Sequence, residues 1–170
     1  MKVNFRTLKA NEIDCRVNQI NEKGLTLLLY KDARCDMNIL DETVGATNWK
    51  RQHTRDNANC IVSIYDEDKK EWVSKEDTGT ESNTEKEKGL ASDSFKRACV
   101  NWGIGRELYT APLIYIPADK AKIFKNEKGK FNTYDKFYVE AIKYNEEKEI
   151  IALSIKNNRG ERVYLKNENN

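Results

Sequence analysis

Thr84-Glu-Lys-Glu-Lys-Gly-Leu-Ala-Ser-Asp-Ser-Phe-Lys-Arg-Ala-Cys-Val-Asn-Trp-Gly-Ile-Gly-Arg106 reads as one helix with both ends marked. Thr84 followed three residues later by Glu87 fits a capping box, in which hydroxyl and carboxylate satisfy the free backbone donors of a helix start. Gly103 suits the left-handed residue that ends a helix. Across 85–102, Ala91, Phe95, Ala98 and Trp102 recur at spacings of four, three and four, which places them on one buried stripe. Lys96 and Arg97 fall outside it, on a side that also carries Asp93 and Val100. Such a pair is either simply solvated or turned towards a polyanion.

Upstream of this helix the period is two. Asn48-Trp-Lys-Arg-Gln-His-Thr-Arg55 reads as a polar strand, Cys60-Ile-Val-Ser-Ile-Tyr65 as a β-branched one, and Glu71-Trp-Val-Ser-Lys75 as the start of a return strand. Together they form an antiparallel meander, and the small polar residues 77–83 lead from it into the helix. Earlier still, Ile13, Val17 and Ile20 sit at helical spacing before Gly24, so residues 8–23 predict a short amphipathic helix. Leu25 to Tyr30 reads as a strand buried on both sides. Asp32 caps a second helix, whose stripe of Ala33, Met37, Leu40 and Val44 stops at Gly45.

Downstream, Leu113–Ile116 between two prolines reads as an edge strand. The lysine-rich residues 118–133 predict a helical turn opening into a loop, and 136–144, 149–156 and 162–165 predict a second meander. The expected fold is therefore α+β: a β-β-β-α core, the meander packed on the long helix, with N-terminal helices and a C-terminal β-meander. Residues 1–117 form the expected core, and 118–170 a β extension of the same domain.

Composition narrows the classes. With 34% charged residues and a formal net charge of +2 over 170 residues, bulk charge announces no nucleic-acid binder, so any basic site is local. Cys15, Cys35, Cys60 and Cys99 stand 20, 25 and 39 residues apart, without the close pairs of zinc or redox sites, and read as buried reduced thiols. No apolar run has the length of a signal peptide or a membrane span, which predicts a cytoplasmic protein with no membrane partner. The single histidine, His53, lacks a partner motif for nucleophilic or zinc chemistry, and no Walker-type phosphate loop is present. Neither an enzyme nor a cofactor is expected.

The residues that remain point to a polyanion. Lys96 and Arg97 on the helix, with Lys50, Arg51, His53 and Arg55 on the polar strand, are the candidate phosphate contacts, since phosphate binding needs several cations together. Aromatic side chains near them would stack on bases. Trp49, beside Lys50 and Arg51, is the foremost; Trp72 and Tyr109 are further candidates, and Trp102 belongs to the buried stripe.

At residues 36–49, Asp-Met-Asn-Ile-Leu-Asp-Glu-Thr-Val-Gly-Ala-Thr-Asn-Trp, and again at Ala91-Ser-Asp-Ser-Phe-Lys-Arg-Ala-Cys-Val-Asn-Trp-Gly103, the chain resembles the Rad-fifty-two/twenty-two family of single-strand annealing proteins, in its phage and prophage form. The hairpin 60–79 falls between them in the family's order, and the likeness spans roughly residues 28–106. The resemblance implies ATP-independent annealing of complementary strands in recombination and repair, with subunits assembled as a ring or helical filament. It places Lys96 and Arg97 in a basic groove for single-stranded DNA, and adds Lys88, Lys50 and Arg51. Where the family often carries a further arginine, this chain has Val100, so Arg34 or Arg55 would complete the groove. A phage exonuclease or a host single-strand-binding protein is the partner that such a role suggests. Two other roles share these residues: protecting single strands without annealing them, or regulating a host protein.

Overall fold

The computed structural model describes residues 2–81 and 86–168, the side chains of 86–88 excepted. In chain order the strands and α-helices are β1 (Ile13–Asn21), β2 (Gly24–Lys31), α1 (Ala33–Val44), β3 (Trp49–Thr54), β4 (Asn59–Asp66), β5 (Glu71–Thr78), α2 (Lys86–Trp102), β6 (Ile114–Pro117), β7 (Ile123–Lys125), β8 (Phe131–Thr133), β9 (Phe137–Tyr144), β10 (Ile150–Asn157) and β11 (Arg162–Lys166). They divide between two compact units. One takes the residues up to Thr7 with Lys31–Arg106; the other takes Leu8–Tyr30 and the residues from Glu107 on.

The expected α+β class, with N-terminal helices and a long helix on a meander as its organising core, is overturned. The chain is mostly β, with 44% strand and 23% helix, two α-helices among the described residues, and a nearly closed barrel-like sheet. Residues 8–23 account for much of the difference. Ala10–Glu12 make one 3-10 turn, and from Ile13 the chain is strand. The helical spacing of Ile13, Val17 and Ile20 is real, but a strand lets β1 pair with β9 on one side and β2 on the other. Those ladders, with burial of Ile13, outweigh a weak local preference of a segment whose three apolar positions, Ile13, Val17 and Ile20, are β-branched.

In the unit that contains it, this sheet has six strands in the order β11-β10-β9-β1-β2-β6. Its two ends approach each other, and the Tyr164 hydroxyl on β11 reaches the carbonyl of Leu113 just before β6 at 3.5 Å. Leu25, Leu27, Ile114, Ile116, Phe137, Val139, Leu153, Ile155 and Val163 are buried. Leu28 and Tyr30 are exposed, so β2 is buried on one face rather than two. The β1–β2 turn is set by Asn21, whose Oδ1 accepts from Lys23 N at 2.8 Å. Gly24 follows, and a Cβ there would stand 2.5 Å from the Ile116 carbonyl oxygen. Residues 118–133 are not an open loop: after a 3-10 turn at Ala118–Lys120 they form the β7–β8 hairpin.

The other unit is a three-stranded antiparallel sheet, β3-β4-β5, with α2 packed on β4 and β5 and α1 beside α2. The central strand β4 buries Cys60, Val62 and Ile64, and α2 buries Ser94, Phe95, Ala98 and Cys99. Gly103 ends α2 at φ 102°, while the Thr84–Glu87 capping box lies outside the described residues. Asp32 caps α1, accepting from Arg34 N at 2.6 Å, and the helix ends at Gly45. Its buried face is Cys35, Asp36, Ile39 and Leu40, turned from the expected stripe because Asp36 pairs inside with Lys31. Gly79 lets the loop after β5 lie against α2, where a Cβ would meet Ser94 N at 2.5 Å.

Candidate nucleic-acid interface

Successive residues of a strand point to opposite faces, and β3 divides its candidates accordingly. Trp49, Arg51 and His53 point to the α2 side. The Trp49 ring stacks with Phe95 at 6.0 Å between centroids, and its Nε1 donates to Asp41 Oδ1 at 2.6 Å. The Arg51 guanidinium lies 4.7 Å from the Phe95 centroid. Trp49 is thus half-buried and held at both its ring and its nitrogen.

His53 faces Ser94, with Nδ1 3.3 Å from Oγ, and burial followed by the Arg51 charge holds its imidazole below the ordinary histidine value. Ser94 is fully buried and its hydroxyl donates to the Asn57 carbonyl at 3.0 Å, so the pair is packing rather than an accessible nucleophile and base. Among the described residues no group of three or more His, Cys, Asp or Glu side chains could hold a metal ion. Burial pushes the Cys60 thiol up to about 11 and Cys99 well above the ordinary value, which keeps both protonated.

Lys50 points to the other face of the sheet. Register places it across from Ser63, which pairs with Ser74, and the next pair on that face is Tyr65 with Trp72. The Lys50 ammonium sits 4.2 Å from the centroid of the Trp72 ring, and Tyr65 meets the same ring edge-on at 5.5 Å. Trp72 is 40% exposed. Among the described residues, the cations of Lys50 and Arg51 meet aromatic rings and no carboxylate within ion-pair distance.

The helix candidates are placed differently. Arg97 pairs with Asp93 one turn earlier at 3.1 Å, and Asp93 also accepts from Thr80 N at 2.8 Å. Lys96 turns towards the start of α1. Asp32 there is held below the usual carboxylate range, first by its hydrogen bond from Arg34 and more weakly by the Lys96 charge. Arg34, well exposed, closes that group with a 3.0 Å ion pair to Asp32. Arg55 is exposed on the turn after β3, at φ 52°. The Lys88 side chain lies outside the described residues. The Val100 carbonyl receives Arg106 Nη2 at 2.9 Å, so an arginine does serve the end of α2, as a cap on its free carbonyls.

The structure therefore brings Lys50 together with Trp72 and Tyr65, and sets the Arg34 and Lys96 charges to act on the same Asp32; Trp49 and Lys50, neighbours in sequence, are on opposite faces. Tyr65 carried no signal by itself, because its role appears only once the β4–β5 register sets it against Trp72. No helix among the described residues is long and apolar enough to cross a membrane. No family model, no curated protein and no solved structure matches the chain.

Proposed function

We propose that this protein binds single-stranded DNA and anneals complementary strands without hydrolysing nucleotide. One observation carries the binding: the exposed Trp72 ring, braced by Tyr65, under the ammonium of Lys50. An exposed indole offers any base a stacking face regardless of sequence, and an adjacent cation serves the phosphate that follows. Arg51, on the α2 face of the same strand, and Arg55, on the turn that follows it, add exposed charge nearby. Arg97 and Arg34 would be recruited by exchanging their carboxylate pairs with Asp93 and Asp32 for phosphate, a small change because exposed pairs contribute about 0–1 kcal/mol, and Lys96 would join them. Annealing, and assembly as a ring or filament, rest on the resemblance at residues 36–49 and 91–103. The open edges of β3 and β5 are compatible with such assembly.

Trp72→Ala is expected to weaken binding of fluorescent oligothymidylate about tenfold, the loss of one stacked base, with little change in melting temperature. Lys96→Ala with Arg97→Ala weakens it further at low salt. Mixing two complementary oligonucleotides, one quenching the other, reads annealing directly. Unchanged affinity in the Trp72 variant removes the platform; tight binding without accelerated annealing makes the protein a protective coat instead. Light scattering reads the assembly, and a plain monomer counts against the ring.

A further inference from the structure

The β7–β8 hairpin concentrates charge that the rest of the chain balances. Residues 120–136 contain Lys120, Lys122, Lys125, Lys128, Lys130 and Lys136 against Glu127 and Asp135, and all six lysines are exposed. Asp135 does not offset them: it is buried, ion-paired to Arg159, and accepts from Lys122 N at 2.9 Å.

The same hairpin carries an exposed aromatic ring beside two half-buried ones. Tyr134 is 80% exposed and stacks on Phe124 with centroids 4.7 Å apart and planes 27° from parallel. Phe124 supports one face of the tyrosine, leaving the opposite face to solvent. The Lys125 ammonium lies 5.6 Å from the Phe131 ring on the paired strand. The turn between the strands is fixed, because Asn126 Oδ1 accepts from Lys128 N at 3.1 Å and Lys130 N at 2.9 Å, and Gly129 takes φ 75°. Lys128 and Lys130 therefore project from a preset backbone.

We infer that the β7–β8 hairpin is a second binding element for single-stranded DNA, with Tyr134 as base platform and Lys125, Lys128 and Lys130 as phosphate contacts. Single strands fit better than duplex because the open face of Tyr134 needs an unstacked base, which a duplex keeps inside its stack. Lysines on a turn supply point charges without base selectivity. The inference rests on the proposed function for its ligand, but on residues of the other unit, so the two are separable.

The test uses the full chain and fluorescein-labelled oligothymidylate, read by anisotropy across a salt series. Tyr134→Ala is expected to weaken binding about five- to tenfold while Tyr134→Phe keeps it. Lys125→Gln with Lys128→Gln and Lys130→Gln is expected to reduce the slope of log affinity against log salt by about two, at roughly 0.7 per single-strand phosphate. Circular dichroism melts confirm that these surface variants fold. If both hairpin variants bind like the wild type while Trp72→Ala is weakened, the hairpin inference falls and the first reading stands. If the wild type binds no oligothymidylate, both fall. Equal losses on a duplex of the same length would make the hairpin a general polyanion patch and overturn the single-strand assignment.

Discussion

Asp36→Ala is expected to destabilise the protein by about 3–5 kcal/mol, the range for removing one partner of a buried ion pair. Asp36 and Lys31 form that pair, at 0% and 6% exposure. Without the carboxylate, the Lys31 ammonium keeps the Lys96 carbonyl, at 3.2 Å, as its acceptor, and a carbonyl cannot neutralise a charge. The loss comes from stranding the cation rather than from any large net strength of the pair. Lys31→Met with Asp36→Leu, which removes both charges and keeps apolar volume, should therefore recover most of it. Urea denaturation of the three forms checks this; a double variant no more stable than Asp36→Ala would show that the pair itself holds α1 to α2.

The same site gives a pH dependence with a definite sign. Burial pushes the Asp36 carboxyl up to about 6, against the opposing pull of Lys31, and its Oδ2 has no hydrogen-bond partner among the described residues. A folded value above the unfolded 3.8 means that the native state favours the protonated acid. This contribution is fully present below the unfolded value and is lost as pH rises through about 6. His53, whose value is lowered by burial, acts in the opposite sense over a neighbouring range. Comparing wild type with the double variant between pH 4.5 and 7.5 isolates Asp36: the stability difference between them should shift towards the double variant as pH rises.

What the sequence could convey follows from where each element finds its stabilisation. The strands β3, β4 and β5 and the helices α1 and α2 carry local marks, such as the β-branched run 60–65, the Asp32 cap and Gly45. The strand β1 does not. Its partner β9 begins at Phe137, and nothing near Ile13 reveals a ladder to Tyr138. The turn chemistry of Asn21 and Gly24 was the available hint of a hairpin. The candidate site had the same limitation. Lys50 and Trp72 are 22 residues apart and meet only through the register of three strands, whereas Trp49 and Lys50, adjacent in sequence, are sent to opposite faces by the pleat. The lysines of 118–133 were legible as composition, but their rings join them only because Phe124 and Tyr134 stack at the base of a hairpin.

Phe95→Ala is expected to cost about 3–5 kcal/mol, the range for truncating a buried phenylalanine. Phe95 is fully buried on α2, and the Trp49 ring and the Arg51 guanidinium both lie on its ring. Truncation leaves a cavity under β3 and removes both contacts, so the edge strand that carries the basic residues loses its main attachment to the helix. All three tryptophans, Trp49, Trp72 and Trp102, belong to this unit, so tryptophan fluorescence reports on the state of this unit. A lower midpoint with an unchanged denaturant slope is the expected signature. Phe95→Leu, which retains much of the volume, should lose less and keep the platform on the far face, because Lys50 and Trp72 touch each other rather than Phe95. Oligothymidylate binding by folded Phe95→Leu should then stay near wild type. A loss of binding as large as that of Trp72→Ala would instead mean that the α2 side of β3, with Arg51 and Trp49, is the face that holds the strand.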